Sequence, residues 1–331
     1  MKSILALNVF KQCTWCLKHI GKTTMVGMVF FLICVANYAV WRHVLIPGMG
    51  DVNILTQLGY AIMSFMYGSC VAMLVWCYIR TVLDSPGEVP AAWYPFEDES
   101  QRQYLQHDDG YRKSVLEGYE QALEQATPTD GSKFQLAYMY ATRPRWCKKC
   151  RKWKPPRSHH CSMMNECVLR MDHYCVWMVN TIGMLNYKSF VLFLMWACIA
   201  CIMSAVLLFK PCVAFVTSTS SILPVWPLLI SFMSFVFTAS FSLALIGFIV
   251  MHWNLIAKNM TTIEAYEKVP ITPWPHDKGG WRENFFDVFG RDPYGWCLPI
   301  LSPKERQRLL EESLHAPANS LPLYPPTTAH V

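Results

Sequence analysis

The sequence predicts an α-helical integral membrane protein with four transmembrane helices and a small cysteine-rich domain between the second and the third. Three observations lead to this fold class. Of the 331 residues, 53% are hydrophobic and only 16% are charged, which is too apolar for an ordinary soluble domain. Long stretches contain no Asp, Glu, Lys or Arg. The charged residues and a cluster of cysteines are concentrated between those stretches.

Four uncharged stretches are long enough to contain membrane spans. The shortest holds 19 residues and the longest holds 47. A helix needs about 20 apolar residues to cross the hydrocarbon core. The predicted spans lie near 23–42, 55–79, 189–209 and 226–251.

The longest stretch could hold two helices by length alone. Its first part, KPCVAFVTSTSSILPVWP, contains Pro211, a run of hydroxyl residues and the prolines Pro224 and Pro227. This composition is more typical of a short exposed loop than of a buried helix, so we predict a single span there. A cleaved signal peptide is the alternative for the first span. That span is too long, starts too late and lacks a small-residue cleavage site.

The distribution of basic residues predicts the orientation. Of the 29 Lys and Arg residues, only Arg42 and Lys210 lie near the two short loops. Cytoplasmic segments carry the excess of positive charge, so both tails and the long middle loop are expected in the cytosol. The predicted divisions are a cytosolic tail (1–22), two spans (23–79), a linker (80–142), the cysteine-rich domain (143–188), two spans (189–251), a cytosolic region (252–312) and a disordered tail (313–331).

Most of the 14 cysteines belong to one of two groups. Several lie inside predicted spans and are expected to be small packing residues. Five cluster between positions 147 and 175, in a segment assigned to the reducing cytosol. Closely spaced cysteines in that compartment bind metal or catalyse more often than they form disulfides.

Four residues in this cluster have the spacing of a metal site. Cys147 and Cys150 form a C-x₂-C pair, and His160 and Cys167 follow. Three thiolates and one imidazole suit a closed tetrahedral Zn²⁺ site of the structural type. His159 could substitute for His160, and the sequence leaves that choice open. Zinc would supply folding energy that this polar segment cannot obtain from hydrophobic burial.

A candidate activated thiol follows directly. Asp172, His173 and Cys175 lie within four residues. A free thiol is only a few per cent ionised at neutral pH, so His173 is the expected base for Cys175, with Asp172 orienting and charging the imidazole. Cys175 lies 14 residues before the third span begins at Ser189. We therefore expect its thiol at the cytosolic face of the bilayer.

These residues resemble a known family. The segments CKKCRKWKPPRSHHC and DHYCVWMVN are similar to the cysteine-rich domain of the DHHC protein S-acyltransferases, as a DHYC variant. Two further motifs of that family follow the last span. In TTIE, we expect Thr261, Thr262 and Glu264 to pack and hydrogen-bond against the catalytic module. In NFFDVFG, we expect Asn284 to be a capping or docking residue.

The resemblance implies two zinc sites, and this chain departs from the family at the second. The first site corresponds to the four ligands named above. The second would correspond to Cys161, Met164, Tyr174 and Thr181, so three of its four ligands are missing. We predict one zinc ion, with Met164 and Tyr174 filling the second position. The change at Tyr174 leaves the three catalytic candidates in place.

The resemblance also implies the reaction. Cys175 would take a long acyl chain from palmitoyl-CoA and pass it to a cysteine of a protein substrate. Among the basic residues between 143 and 157, Arg151, Lys154 and Arg157 would meet the CoA phosphates; equally, these residues could bind anionic lipid headgroups. The expected partners are membrane lipid and cytosolic-face proteins with accessible cysteines, and no nucleic acid. The expected location is the Golgi or the endoplasmic reticulum, with the plasma membrane as an alternative.

Two other functions compete with this prediction. A non-catalytic membrane adaptor would use the zinc module to bind partners and would not need the thiol of Cys175. A transporter or channel would want ionisable groups inside its spans, and the four predicted spans contain no Lys, Asp or Glu. The triplet Asn259-Met260-Thr261 matches the N-glycosylation pattern, but its predicted cytosolic placement makes that match a false positive.

Overall fold

The structure is a computed structural model that describes residues 23–96, 102–125, 133–217, 225–267 and 274–314. The helices are α1 (Thr23–Met49), α2 (Ile54–Leu83), α3 (Arg102–His107), α4 (Asp109–Gln125), α5 (Lys133–Thr142), α6 (Tyr187–Thr217), α7 (Val225–Ala257), α8 (Thr262–Ala265), α9 (Trp281–Phe289) and α10 (Pro303–Leu314). The strands are β1 (Arg145–Cys147), β2 (Lys152–Lys154), β3 (His159–Cys161), β4 (Glu166–Val168), β5 (His173–Cys175) and β6 (Asn180–Ile182). The predicted tail 1–22 and residues 315–331 lie outside the described ranges.

Within those ranges, four helices are long and apolar enough to cross a membrane, which confirms the predicted number. They are α1, α2, α6 and α7. Each extends past at least one end of its predicted window, because the apolar sequence continues beyond the minimum that a bilayer requires. A π-helical turn at Trp41–Leu45 lies inside α1.

The loop predicted from Pro211 onward is wrong for its first residues. Helix α6 continues through Pro211 and ends at Thr217. A proline in a helix interior removes one backbone hydrogen bond, but apolar residues on both sides keep the neighbouring turns helical. The hydroxyl of Thr217 also donates to the carbonyl of Val213 at 2.9 Å. A hydroxyl residue near the helix end therefore bonds within the helix instead of marking a loop.

The described residues form two compact units. The membrane unit comprises those up to Val82, Cys175–Asn180 and Ser189–His252, and the cysteine-rich unit comprises Leu83–Tyr174, Thr181–Lys188 and those from Trp253 onward. In the membrane unit, Leu45, Tyr67 and Leu208 are at most 1% exposed and share one apolar core.

The six short strands form three two-stranded sheets, of which the first two lie wholly in the cysteine-rich unit. Strand β1 pairs antiparallel with β2, which places Trp146 opposite Trp153. Strand β3 pairs antiparallel with β4, which places His160 opposite Cys167. Strands β5 and β6 form the third sheet. Each strand has three residues, and isolated two-stranded hairpins are marginally stable at best, so these hairpins depend on packing and on the groups they bring together.

The Pro- and Gly-rich segment after α2 is irregular, as predicted, and it is bonded to the hairpins. The N–H of Leu169 donates to the carbonyl of Gly87 at 2.8 Å, and the N–H of Val89 donates to that of Cys167 at 3.1 Å. The fit is close enough to require glycine at position 183. A Cβ on Gly183 would lie 2.8 Å from the carbonyl oxygen of Pro86.

The region after α7 folds against the same hairpins. Leu309 of α10 is 4% exposed and belongs to one apolar cluster with Val89, Cys147 and Cys167. Helix α10 ends at Leu314, whose carbonyl accepts a hydrogen bond from the indole of Trp93 at 2.8 Å. The disorder predicted from residue 313 is therefore wrong for residues 313 and 314, because tertiary contacts hold the end of this polar helix.

Candidate functional site

The four predicted metal ligands come together in the cysteine-rich unit. The ligand atoms of Cys147, Cys150, His160 and Cys167 all lie within 4.8 Å of one another. The sulfurs of Cys150 and Cys167 are 3.6 Å apart, and Nδ1 of His160 lies 3.1 Å from the sulfur of Cys150. Zinc with Zn–S bonds of about 2.3 Å in a tetrahedron keeps its sulfur ligands about 3.8 Å apart. The cluster therefore fits zinc, and no second such cluster occurs in the described ranges.

Hairpin geometry produces this cluster. The N–H of Cys150 donates to the sulfur of Cys147 at 3.4 Å across the turn after β1. His160 is paired with Cys167 across β3 and β4. Side chains of successive strand residues point to opposite faces, so His159 lies outside the cluster and His160 is the imidazole within it. Burial, together with the nearby Arg145 and Lys154 charges, lowers the pKa of His159 to about 4.

The positions of the missing second metal site form a packed cluster. Cys161 is 2% exposed and shares an apolar cluster with Val168 and Met171, against which Met164 and Tyr174 pack. The hydroxyl of Thr181 donates to the sulfur of Cys161 at 3.0 Å. Apolar packing occupies the space that four ligands would otherwise share.

Hydrogen bonds from His173 and Thr262 hold the carboxylate of Asp172, which is 1% exposed. Nδ1 of His173 lies 2.6 Å from Oδ2. The N–H of Thr262 donates to Oδ1, and its hydroxyl donates to Oδ2, each at 2.8 Å. A carboxylate can only accept, so Nδ1 of His173 carries the proton and Nε2 is the basic nitrogen.

Cys175 lies on the same strand as His173, two residues later. Residues two apart on a strand project to the same face. The Cys175 side chain is buried, at 8% exposed, while Val176 and Trp177 immediately after it are exposed. The nucleophile candidate thus sits beside exposed apolar side chains at the start of the strand-to-strand turn.

A buried ion pair fixes the TTIE motif. Arg157 donates from Nε to Oε1 of Glu264 at 2.7 Å and from Nη2 to Oε2 at 2.8 Å. Oε2 of Glu264 also accepts the N–H of Thr261 at 2.7 Å, and the hydroxyl of Thr261 accepts the N–H of Glu264, which completes a capping box for α8. Burial alone would raise the pKa of Glu264, but Arg157 and the Thr261 N–H bring it to about 2. Glu264 therefore fixes the start of the helix that carries Thr262.

We expect Glu264→Gln to destabilise the protein by about 3–5 kcal/mol at neutral pH, because it leaves the buried charge of Arg157 without its partner. The folded-state pKa of Glu264 is lowered from 4.5 to about 2. The stabilisation is therefore present in full above about pH 4.5 and is lost as the pH falls toward 2. Melting of detergent-purified protein between pH 7 and 3 measures this difference. Glu267→Gln, an exposed residue one turn later, is the matched control. Equal melting temperatures for the two variants at neutral pH would contradict the assignment.

The three basic residues predicted to meet phosphates have different surroundings. Arg151 is exposed in the turn after Cys150 and has a left-handed backbone (φ 51°). Lys154 is half-buried on β2. Arg157 bonds to Glu264 and Asn259, so a phosphate contact from its guanidinium would compete with a buried ion pair. The structure places Arg157 in the scaffold of the site.

Asn284 docks α9 against the end of α7. Its side chain is fully buried. Nδ2 donates to the carbonyl of Ala257 at 2.7 Å and to Oδ1 of Asp277 at 2.9 Å, while Oδ1 accepts the N–H of Lys278 at 2.9 Å. One amide thus satisfies a carbonyl at the C-terminus of α7 and two groups of the loop before α9.

Sequence reasoning missed three residues of this site. Arg170 donates to the carboxylate of Asp287 at 2.6 Å, and Asn259 contacts both side chains. Arg170 and Asp287 are 117 positions apart in the chain. The position of Asp287 inside the NFFDVFG motif was the one available signal, since nothing near Arg170 indicates so distant a partner.

Comparison with known proteins gives consistent matches. A family model described as DHHC palmitoyltransferase matches residues 141–269. Probable protein S-acyltransferase 13 of Arabidopsis thaliana is 36% identical over 313 residues, which cover 92% of this chain and 93% of that protein. Probable protein S-acyltransferase 14 of the same plant is 35% identical over 315 residues, covering 93% of each chain. Palmitoyltransferase ZDHHC20 of Homo sapiens is 32% identical over 235 residues, covering 70% of this chain and 60% of that protein.

The Arabidopsis matches extend over nearly the whole chain, including the membrane helices and the motifs after the last of them. The resemblance drawn from the cysteine-rich segment is therefore confirmed, and the matches support an enzyme over a non-catalytic adaptor. The chain belongs to the DHHC palmitoyltransferase family and is a membrane acyltransferase.

Proposed function

We propose that the protein is a protein S-palmitoyltransferase in which Cys175 carries the acyl chain. The observation that supports this most is the fixed carboxylate of Asp172. It holds His173 with Nε2 as the basic nitrogen, on the strand that carries Cys175. Together with Cys175, these residues supply the nucleophile, the base and the orienting group that thiol activation requires.

The first half-reaction loads the enzyme. Nε2 of His173 takes the proton of the Cys175 thiol, and the thiolate attacks the thioester carbonyl of palmitoyl-CoA. The bond between the carbonyl carbon and the CoA sulfur breaks, and the CoA thiolate takes the proton back from the imidazolium. The products are acyl-Cys175 and free CoA.

The second half-reaction repeats the same steps with a protein cysteine as nucleophile. His173 takes the proton of the substrate thiol, the substrate sulfur attacks acyl-Cys175, and the Cys175 sulfur leaves and is reprotonated. One thioester is exchanged for another in each step, so the reaction needs no further energy source. Two sequential transfers give ping-pong kinetics.

We propose Arg151 and Lys154 as the residues that bind the acyl-CoA phosphates. Arg157 is left out because its guanidinium is paired with Glu264 and holds the start of α8. The alternative for both residues is an anionic lipid headgroup. In the phosphate proposal, the double variant Arg151→Ala/Lys154→Ala raises KM for palmitoyl-CoA about fivefold and leaves kcat unchanged, since exposed charge pairs contribute up to about 1 kcal/mol each.

The assay uses neutral detergent without anionic lipid, and Lys304→Ala/Arg306→Ala, exposed on α10, removes the same charge elsewhere. A KM unchanged from wild type, together with weaker binding to phosphatidylserine vesicles, would assign these residues to the lipid surface instead.

Zinc is proposed as a structural ion with a stoichiometry of one. The four ligands of the first cluster suit it, and the packing of Met164 and Tyr174 around Cys161 supports the absence of a second ion. Zinc bound at the first cluster would hold the hairpins together. No step of the acyl transfer involves it.

The proposed orientation places the cysteine-rich unit and both termini in the cytosol, because basic residues are concentrated there in the sequence. Palmitoyl-CoA and the substrate cysteines would then both be reached from the cytosolic face. The proposed partners are membrane lipid and proteins with accessible cysteines, and the proposed location is the Golgi or the endoplasmic reticulum.

The test of this function is transfer from labelled palmitoyl-CoA by purified protein in detergent. We expect a hydroxylamine-sensitive acyl adduct on the enzyme, which passes to a cysteine-containing acceptor peptide after free palmitoyl-CoA is removed. A folded, zinc-containing protein that forms no adduct would favour the adaptor. An adduct that never reaches any acceptor would contradict transferase activity.

A further inference from the structure

Asn259 lies at the junction between the last membrane helix and the TTIE motif. It is fully buried and has a left-handed backbone, with φ 50°. The N–H of Met260 donates to the carbonyl of Leu255 at 2.9 Å, and the N–H of Asn259 donates to that of Ile256 at 3.0 Å. These two bonds form the Schellman motif that ends a helix, and asparagine is one of the few residues that tolerate its left-handed position.

The side chain of Asn259 joins two arginines and a carboxylate. Oδ1 accepts from Nη1 of Arg157 at 3.1 Å and from Nη2 of Arg170. Nδ2 donates to Oδ2 of Asp287 at 3.2 Å. The backbone carbonyl of Asn259 accepts from Arg157 at 2.8 Å and from the indole of Trp274 at 3.0 Å. Every polar group of this residue therefore has a partner within the cysteine-rich unit.

The hydrogen bonds of Asn259 are connected to Asp172 through Arg157, Glu264 and α8. Arg157, which Asn259 holds, also clamps Glu264 and thereby the start of α8. Three residues after Asn259 comes Thr262, which donates two hydrogen bonds to the Asp172 carboxylate. A neutral amide suits this position because it meets two cations on one side and a carboxylate on the other, with the correct atom toward each.

We propose that Asn259 is a positioning residue for acyl transfer, which acts by fixing the chain so that Thr262 meets Asp172. This inference rests on the proposed function, since Asp172 and His173 are assigned there. It gives a role to the Asn259-Met260-Thr261 triplet, which matched a glycosylation pattern in the sequence. A fully buried asparagine engaged on all sides is part of the fold.

Two variants separate the roles of the backbone and the side chain. Asn259→Gly keeps the left-handed conformation and removes the amide, whereas Asn259→Asp keeps shape and backbone preference but directs an acceptor at Asp287. We expect both to purify with the zinc content of wild type and to lower kcat for acylation of Cys175 about tenfold. The Gly variant loses the side-chain hydrogen bonds to Arg157, Arg170 and Asp287, and the Asp variant replaces the bond to Asp287 with repulsion between two carboxylates. KM for palmitoyl-CoA should change less than twofold. Lys258→Ala, the exposed neighbour, should behave as wild type.

A double-mutant cycle with Thr262→Val tests whether Asn259 acts on Asp172 through Thr262. If Asn259 acts through Thr262, the double variant Asn259→Gly/Thr262→Val is no slower than the worse single variant. If the fold reductions in kcat of the two single variants multiply in the double variant, the proposal is overturned. A kcat equal to that of wild type in Asn259→Gly would also overturn it. A kcat that falls in proportion to lost zinc or to a lowered melting temperature would also overturn it, since that result indicates a purely structural role.

If Asn259→Gly does not purify in a folded form, the same criteria apply to Asn259→Asp. Failure of the proposed function looks different. In that case wild type itself forms no acyl adduct, whereas failure of the positioning role leaves wild type active and the variants equal to it.

Discussion

Cys175→Ser is expected to reduce formation of the acyl-enzyme from palmitoyl-CoA to background. The serine hydroxyl is far less acidic than a thiol, so a neutral imidazole such as that of His173 cannot ionise it to a useful extent. The substitution changes one atom on β5 and leaves the hydrogen bonds of the Asp172 carboxylate with His173 and Thr262 in place. The loss should therefore occur without loss of zinc or of melting temperature.

The matched control is Cys297→Ser, an exposed cysteine outside the hairpins. It should retain the full amount of hydroxylamine-sensitive label. Measurement by in-gel fluorescence with an alkyne-tagged donor, followed by peptide mapping, places the adduct on the chain. Label of equal intensity on the Cys175→Ser protein would mean that another thiol is the acyl carrier.

Cys167→Ala is expected to abolish zinc binding and to unfold the cysteine-rich unit. Its sulfur is completely buried and lies within the four-ligand cluster. Structural zinc sites of this kind contribute about 10–16 kcal/mol of apparent binding free energy, which the three-residue strands cannot replace by packing. Elemental analysis should give one zinc per chain for wild type and none for Cys167→Ala.

Cys161→Ala provides the contrast, because Cys161 lies in the packed cluster with Met164 and Tyr174. It should keep one zinc per chain and lose about 2–4 kcal/mol of stability, from a small buried side chain and from the Thr181 hydroxyl that is left without its acceptor. Two zinc ions in wild type, or loss of the metal in Cys161→Ala, would contradict the one-ion proposal.

Local patterns carried most of the correct predictions. The four membrane helices follow from runs of apolar residues, which a bilayer selects by length alone. Cys147 and Cys150 follow from a turn of fixed size, and His160 lies only ten residues further on. Asp172 and His173, whose side chains hydrogen-bond, are adjacent in the chain. In both of these sites the residues that meet in space are near one another in sequence, so their spacing is enough to indicate the contact.

The supporting network could not be predicted in the same way. Arg157 and Glu264 are 107 positions apart, and the sequence contains many other arginines that could have paired with that carboxylate. Arg157 looked like a phosphate ligand because it ends a basic segment, yet folding turns its guanidinium inward. The helix through Pro211 shows a second limit of prediction from composition. Proline and hydroxyl residues favoured a loop there, but the apolar residues around them continue the helix to Thr217.

The packing of α10 against the hairpins has a consequence for how the protein is made. Val89 is translated before the third and fourth membrane helices, whereas Leu309, in the same apolar cluster, is translated after both. The cysteine-rich unit therefore cannot complete its interior while the ribosome is still delivering those helices to the bilayer. Until then its thiols lack the cover of α10, which makes this interval the one in which chaperones or quality-control proteases would meet the nascent chain.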